Sequence, residues 1–370
     1  MTTPAADPVL QRLIDRVKSA AASGTPLDIQ SGNTKRFYGE PPRGEPFDVG
    51  ALKGISSYEP TELVVTARCG TPLRELEAAL AERGQCLPFE PPHFGAAATV
   101  GGMVAAGLAG PPRPAVGGVR DYVLGATMLN GRGELLSFGG QVMKNVAGYD
   151  VSRVLAGSLG TLGVICEVSL KVLPVPPATA TLRFELDQPQ ALDQLHAWGG
   201  KPLPINASAW WSGMLVVRLR GAAAAVEAAV GAMGGERVDD ALADPFWAGL
   251  REHTDEYFVT ARRAIADGTA QGARLWRISV PQTAAPLPLD GEQLIEWGGG
   301  QRWLCTSASA AQVREAAAQA GGHATLFLAR DKADGVFTPP KPPLDLIHRE
   351  LKKAFDPAGI FNPGRLYPGL

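Results

Sequence analysis

Small residues carry the densest chemical signal in this chain. Four glycines, Gly148, Gly157, Gly160 and Gly163, fall within sixteen residues, and the run Gly157-Ser158-Leu159-Gly160-Thr161-Leu162-Gly163-Val164-Ile165 passes straight into an apolar β-type stretch, Leu162 to Leu173. Glycine loses more backbone entropy on folding than any other residue. Such density marks a place where the backbone must approach something closely or adopt positive φ. A phosphate, a flat ring and a tight strand entry each meet that description, and so does a plain turn before a buried strand. Two more small-residue runs stand upstream beside strand signals: Gln30-Ser31-Gly32-Asn33-Thr34-Lys35 and Thr99-Val100-Gly101-Gly102. A concave row of backbone N–H groups in such a loop is an anion cradle; the other reading is a surface turn.

The titratable residues are sparser. Cys69, Cys86, Cys166 and Cys305 show no C-x-x-C spacing, which argues against an iron–sulfur cluster or a zinc site within the chain and for reduced thiols in a cytoplasmic setting. His253 sits in Arg251-Glu252-His253-Thr254 and reads as a surface histidine; His323 reads as a packed strand residue. A bidentate guanidinium is the natural partner of a carboxylate, so Arg218, Arg277, Arg302 and Arg330 are candidate clamps. The net charge of −2 and the lack of a Lys/Arg-rich run argue against a nucleic-acid partner. The N-terminus has no basic segment leading into an apolar core, so no signal peptide is read. The longest weakly polar run, Phe94 to Gly118, is broken by Pro111, Pro112 and Pro114 and cannot be a membrane helix of about 20 apolar residues.

The elements that must position these residues follow from periodicity. Val9, Leu10, Leu13, Ile14 and Val17 predict a helix from Asp7 to Ala21, with Asp7 as N-cap, Pro8 in the first turn and Gly24 as terminator. Leu27 to Gln30 and Leu63 to Ala67 read as strands, and a helix runs from Gly70 to Arg83. Thr99 to Gly102 reads as a turn. Tyr122 to Leu129 and Glu134 to Phe138 form a hairpin around Asn130-Gly131. Pro174, Pro176 and Pro177 mark a boundary. Beyond it, strands at Leu182–Glu185, Ile205–Trp211, Leu215–Leu219, Arg274–Val280, Gln301–Ser307 and His323–Ala329 alternate with helices at Gln188–Trp198, Ala222–Met233 and Ala311–Ala320. That pattern is an α+β unit with an antiparallel sheet. It holds all seven tryptophans, of which Trp198, Trp210 and Trp247 read as packing residues. A last helix spans Leu344 to Phe355.

In order and spacing, Gln30 to Lys35, Thr99 to Ala105, Gly117 to Gly125, Lys144 to Asp150, Gly157 to Ile165, Glu296 to Trp303 and Phe355 to Leu366 resemble the flavoproteins of the vanillyl-alcohol-oxidase type. These carry the PCMH-type FAD domain, and the likeness covers nearly the whole chain. It is closest to the FAD-binding subunits of bacterial glycolate oxidase complexes. The resemblance implies an α+β fold: a two-subdomain FAD domain over 1–176, an α+β cap over 177–339, and a C-terminal segment, 340–370, that returns to the FAD domain. It implies FAD held by Gln30, Ser31, Gly32, Asn33, Thr34 and Lys35 of the first loop and by Thr99, Val100, Gly101, Gly102 and Ala105 of the second. Gly118 and Arg120 follow, with Arg120 either a ligand-facing cation or a surface charge. Gly157, Gly160, Thr161, Gly163, Val164 and Ile165 of the glycine turn, and Asn362 and Arg365 of the tail, complete the set. Lys144 and Asp150 are assigned a structural role, and Trp297 and Trp303 are placed on the flavin face.

Two departures from the resembled family shape the functional expectation. Covalent members bond FAD through a histidine of the first loop, and none lies between Gln30 and Gly39, so the FAD is expected to be non-covalent. Members that oxidise 2-hydroxy acids carry several histidines and a glutamate around a divalent metal. Here His323 stands alone near the first such place, so no metal is expected. The resemblance then implies an electron-transferring FAD subunit that takes part in glycolate oxidation beside a catalytic FAD subunit and an iron–sulfur subunit. It would be cytoplasmic or peripheral at the inner face of the plasma membrane, with no transmembrane segment of its own. The alternatives are a self-sufficient FAD-dependent 2-hydroxy-acid oxidoreductase and a structural subunit with a vestigial flavin fold.

Overall fold

The computed structural model describes residues 7–140, 150–267 and 272–370. Helix α1 (Pro8–Ser23) is capped by Asp7, whose carboxylate accepts the Val9 and Leu10 amides, and it ends on left-handed Gly24. Strands β1 (Leu27–Gln30) and β2 (Glu45–Asp48) form a parallel pair. Strands β3 (Ile55–Glu59) and β4 (Val64–Arg68) precede α2 (Leu73–Ala81) and the short β5 (Gln85–Cys86). Then come α3 (Val100–Ala106), α4 (Arg113–Val116), α5 (Val119–Tyr122), β6 (Val123–Leu129), β7 (Leu135–Gly139), β8 (Val164–Lys171) and β9 (Leu173–Pro174). A five-stranded antiparallel sheet in the order β3-β4-β8-β6-β7 carries this part of the chain. Its central strand β8 is the apolar run after the glycine turn, and it is nearly all buried because neighbours cover it on both edges.

The following stretch opens with β10 (Ala178–Glu185), α6 (Gln188–Gly199), β11 (Ile205–Trp211), β12 (Met214–Gly221) and α7 (Ala223–Met233). It continues with β13 (Glu236–Val238), α8 (Asp240–Glu252), α9 (Glu256–Asp267), β14 (Arg274–Ser279), β15 (Glu292–Glu296), β16 (Gln301–Thr306), α10 (Ala310–Gln319) and β17 (His323–Leu328). The eight strands form one sheet, β13-β10-β12-β11-β15-β16-β14-β17, with every pair antiparallel. Ser212 and Gly213, both at positive φ, turn β11 into β12. The last helix, α11, spans Leu344–Phe355. The chain divides into two compact units: Met1–Leu108 with Gly118–Pro174 and Pro339–Leu370, and Ala109–Gly117 with Val175–Thr338.

Several local expectations need correction. Thr99 to Gly102 is not a free turn but the start of α3: Thr99 is the N-cap, its hydroxyl accepting the Gly102 amide at 3.2 Å. Tyr122 ends a helical turn and does not open β6. The hairpin after β6 is not a two-residue Asn-Gly turn. Gly133 takes the left-handed position at φ +75, and the Asn130 side chain accepts the Arg132 and Glu134 amides. Helices α8 and α9 and strands β13 and β15 go beyond the sequence reading. The predicted structural roles of Lys144 and its loop lie outside the described residues; Asp150, just after them, is exposed and pairs with Arg153 at 3.0 Å.

Candidate cofactor site

The first unit contains a cleft made of two hollows, about 110 Å³ and 90 Å³, that share Ile29, Ser31, Gly102, Ala105, Leu159 and Asn362 as walls. One wall is the loop that leaves β1. Another is the first turn of α3, and a third is the glycine turn before β8. The C-terminal tail closes the set. Asn362 ties three of these pieces together: β1, the glycine turn and the tail. Its side-chain oxygen accepts the Ile29 amide at 2.7 Å, its NH₂ donates to the Leu159 carbonyl at 2.6 Å, and its own amide donates to Leu27 at 2.9 Å. The glycine turn is anchored from the other side by the Gly157 amide on Val104 and the Leu159 amide on Ala105. Leu159 and Gly160 both adopt positive φ, at +50 and +72. A Cβ on Gly160 would press on the Asn362 side-chain nitrogen at 2.8 Å.

The glycines that line the cleft are small for different reasons. A Cβ on Gly32 would overlap the Ala97 carbonyl, and one on Gly101 would meet the Cys69 side chain at 2.6 Å. Those two are small because the protein itself is close. Only Thr99 Oγ1 would meet a Cβ on Gly102, at 3.2 Å, and Gly102 lines both hollows.

The polar lining is unbalanced in an informative way. Arg365 Nη2 donates to the Arg36 and Tyr38 carbonyls at 2.7 Å each, while its Nη1 is buried without a partner. Ser31 Oγ is likewise buried and unpartnered. Burial pushes the Arg365 guanidinium down to about 10, which leaves it charged at neutral pH. A buried polar group without a partner costs on the order of 1–3 kcal/mol. An orphaned cationic donor and an orphaned hydroxyl on one cleft fit a ligand with acceptor oxygens, such as the diphosphate of a dinucleotide. Lys35 Nζ donates to the His93 carbonyl at 3.2 Å, and Arg36 pairs with Asp28 at 2.7 Å.

With this geometry established, the comparisons with known proteins are decisive. Residues 10–139 match the FAD binding domain family. The glycolate oxidase subunit GlcE of Escherichia coli is 49% identical over 97% of this chain and 98% of its own length. The chain belongs to that family. A D-lactate dehydrogenase of Anaerostipes hadrus is 35% identical, but over 35% of this chain and 27% of its own length. Solved alkyldihydroxyacetonephosphate synthase has the same fold, with a TM-score of 0.61 at 15% identity, covering 96% of this chain and 76% of that one. The chain therefore carries a PCMH-type FAD-binding domain in an α+β fold and is an FAD-dependent oxidoreductase, similar over nearly its whole length to a protein named as a glycolate oxidase subunit.

Most residues expected at the cofactor do converge. Gln30, Ser31, Gly32, Asn33, Thr34, Lys35, Thr99, Gly101, Gly102, Ala105, Gly160, Gly163, Val164, Ile165, Asn362 and Arg365 all line the cleft. Five do not. Val100 is fully buried in the core. The Gly118 amide caps α5 through Asp121 at 2.8 Å. Arg120 is exposed. Gly157 uses its amide on Val104, and Thr161 is buried with its hydroxyl on the Ser158 carbonyl at 2.8 Å. The cleft also recruits Asp28, Ile29, Arg36, Val49, Cys69 and Leu159. Of these, Asp28 and Ile29 lie on the expected strand and Leu159 in the glycine turn, whereas nothing in the sequence had pointed Arg36, Val49 or Cys69 to the cleft.

The second unit overturns other expectations. His253 is not a surface histidine. It is 9% exposed and stacks on Phe258 with ring centroids 3.7 Å apart, and burial holds its pKa well below the usual 6.5. Trp303 cannot line a flavin face: it is 2% exposed and donates its indole N–H to Glu296 at 2.7 Å. Burial pushes the Glu296 carboxyl up to about 7. Trp297, at φ +59, donates to the Gly110 carbonyl at 3.2 Å and lies under the Arg113 guanidinium. His323 begins β17 as expected but is exposed rather than packed. Arg302 is no carboxylate clamp, because its three nitrogens donate to the Gly299, Ala285 and Ala284 carbonyls. Arg218 is buried on Asn206, and Arg330 bonds the Ala266 carbonyl. Arg277 lies on β14 opposite Trp303. Among the described residues, no three His, Cys, Asp or Glu side chains gather as a metal set, and no helix is long and apolar enough to cross a membrane.

Proposed function

We propose that this chain is the FAD-holding, electron-transferring subunit of a glycolate oxidase assembly. It would work beside a catalytic FAD subunit and an iron–sulfur subunit, in the cytoplasm or peripherally at the inner face of the plasma membrane. The observation that carries the cofactor part is the pairing of orphaned Ser31 Oγ and Arg365 Nη1 on one cleft. The similarity over nearly the full length of GlcE supports the assembly. The FAD-binding domain is assigned to 1–176 with 340–370, and the cap to 177–339.

In this reading Ser31, Gly102 and Arg365 meet the diphosphate, with Gln30, Asn33, Thr34, Lys35 and Thr99 around it. Gly160, Gly163, Val164 and Ile165 lie along the adjoining hollow. Asn362 acts by position: it fixes β1 and the glycine turn at one separation, so the donors are set before a ligand arrives. Bound FAD supplies the two-electron acceptor that glycolate oxidation needs. No histidine stands in the first loop to form a covalent link, so retention is by these contacts alone. Hydride abstraction from a 2-hydroxy acid also requires the hydroxyl to be polarised and the carboxylate fixed. Among the described residues Arg302 and Arg218 are committed elsewhere and no metal set exists. Turnover is therefore assigned to the assembly and not to this chain alone.

The test is purification of the chain alone and with co-expressed neighbours. The isolated chain is expected to show flavin absorbance, to lose all of it on acid precipitation, and to keep its spectrum unbleached under anaerobic glycolate. The assembly is expected to reduce a dye acceptor. Colourless protein that FAD cannot reconstitute refutes the cofactor reading. Rapid bleaching of the isolated chain by glycolate instead favours the self-sufficient oxidoreductase.

A further inference from the structure

The second unit holds a groove of about 560 Å³ that the cofactor reading does not use. Its floor is the start of β11, one wall is the C-terminal end of α6, and its rim includes the 109–117 segment and the loop after β14. The apolar surface comes from Leu195, Trp198, Leu203, Ile205, Pro114 and Ala115. No aspartate or glutamate lines it, whereas Lys201 and His196 do.

Two polar groups of the floor already accept hydrogen bonds from the protein, so their donors are the ends left over. Asn206 is 9% exposed, and its Oδ1 accepts the Nε–H of buried Arg218 at 2.8 Å. Arginine can only donate, so this contact fixes the amide orientation and leaves the Asn206 NH₂ as the free end. Ser208 is 2% exposed, and its Oγ accepts the Gly298 amide at 2.9 Å, which leaves its O–H to donate. Lys201 adds an ammonium at the mouth. Gln282 is oriented the other way, its NH₂ being taken by the Trp297 carbonyl at 2.9 Å. Oriented donors, a cation and apolar walls select a ligand with an acceptor-rich anionic head and an apolar body. The volume is that of an ordinary small-molecule site, about 300–1,000 Å³, and a two-carbon hydroxy acid would leave most of it empty.

We propose that this groove is a binding site for an amphipathic organic carboxylate larger than glycolate, with the head on Asn206, Ser208 and Lys201 and the aliphatic part against Leu195, Trp198 and Ile205. The groove shares no lining residue with the cofactor cleft, and the proposal does not depend on the flavin reading.

The experiment is titration calorimetry on the full chain with hexanoate, hexanol and hexylammonium, with flavin content read by absorbance on the same samples. Hexanoate is expected to bind, and the alcohol and the amine to bind at least tenfold more weakly. Lys201→Glu, at an exposed position, is expected to weaken hexanoate about fivefold, the size of a partly screened charge reversal. Ala115→Trp, also exposed, is expected to fill the groove and abolish binding. Flavin content is expected to stay unchanged in both variants. Equal binding of all three probes, no binding of hexanoate, or hexanoate binding untouched by both substitutions each overturns the proposal.

Discussion

Ser31→Ala separates a ligand-directed hydroxyl from a packing atom. Ser31 Oγ is buried and makes no hydrogen bond in the protein. In the apo state it therefore contributes only desolvation cost, on the order of 1–3 kcal/mol. Alanine removes that cost and leaves no cavity larger than one oxygen. The apo protein is expected to melt higher, by about 2–6 °C, taking roughly 2 °C per kcal/mol for a chain of this size. With FAD bound, the wild-type hydroxyl gains a partner. Losing one neutral hydrogen bond costs about 0.5–1.5 kcal/mol, which is about two- to twelvefold in dissociation constant. The assay is a pair of measurements on each protein: thermal unfolding of acid-stripped, refolded apo protein, and FAD titration followed by flavin fluorescence. The two effects have opposite signs, and few structural substitutions produce that signature. An apo melting temperature that falls while FAD affinity stays unchanged would refute the reasoning. Ser31 would then be a packing residue, and the cleft's ligand would sit elsewhere.

Lys352→Met is expected to destabilise the first unit by about 3–5 kcal/mol in urea unfolding, the usual cost of stranding a buried partner charge. Lys352 Nζ donates to Thr161 O, Phe361 O and Asp356 Oδ2 at 2.7 Å each, and Asp356 is 1% exposed; a loss below about 1 kcal/mol would contradict this account. Glu296→Gln is expected to remove a stability loss, on the order of 3 kcal/mol, that the wild type undergoes as pH rises from its unfolded value of 4.5 through its folded value of about 7. The folded state binds the extra proton in that window, so stability is full below it and lost above, and the wild-type-minus-variant difference in melting temperature at pH 5 and pH 8 isolates this from the opposing effect of buried His253.

Much of the cleft was legible because loops announce themselves. Ser31 to Lys35 follow a strand and carry the polar, small residues that a cradle needs, and the glycine turn leads into a run too apolar to be anything but a central strand. The mechanism inferred for the glycines was only partly right. Gly102 and Gly160 shape the cleft, but Gly32 and Gly101 are small to admit Ala97 and Cys69. Composition shows that something comes close without saying what. Two adjacent glycines also disguised α3, since glycine is a poor helix former, although Thr99 and Gly107 cap it at both ends.

Other features were hidden for tertiary reasons. Strand β15 reads Glu292-Gln293-Leu294-Ile295-Glu296 and looks like a polar edge. It lies between β11 and β16, and its last carboxyl is enclosed by Gln301 and Trp303. Helix α8 contains Pro245 in its interior, where proline removes a helical hydrogen bond, so local propensity gives little sign of it. His253 stands among charged neighbours in sequence, yet its left-handed φ of +55 ends α8 and turns the ring inward onto Phe258. A local window cannot register a reversal of that kind.

The tail shows why the cleft cannot be read as a set of independent motifs. Asn362 is bonded to Ile29 across a sequence separation of 333 residues and to Leu159 across 203. Arg365 reaches the carbonyls of Arg36 and Tyr38 from a similar distance. Contacts of that separation cannot stabilise a folding chain until the intervening residues have paid their closure entropy. The strand-to-loop cradle and the glycine turn can each form locally, but nothing local sets the distance between them. Lys352 and Asp356 dock α11 on the Thr161 carbonyl, and the Asn362 side chain bonds both walls from the same tail. On the proposed function, flavin retention follows the stability of the tail's docking. Substitutions in α11 that touch no part of the cleft should act on flavin retention through the separation that Asn362 fixes.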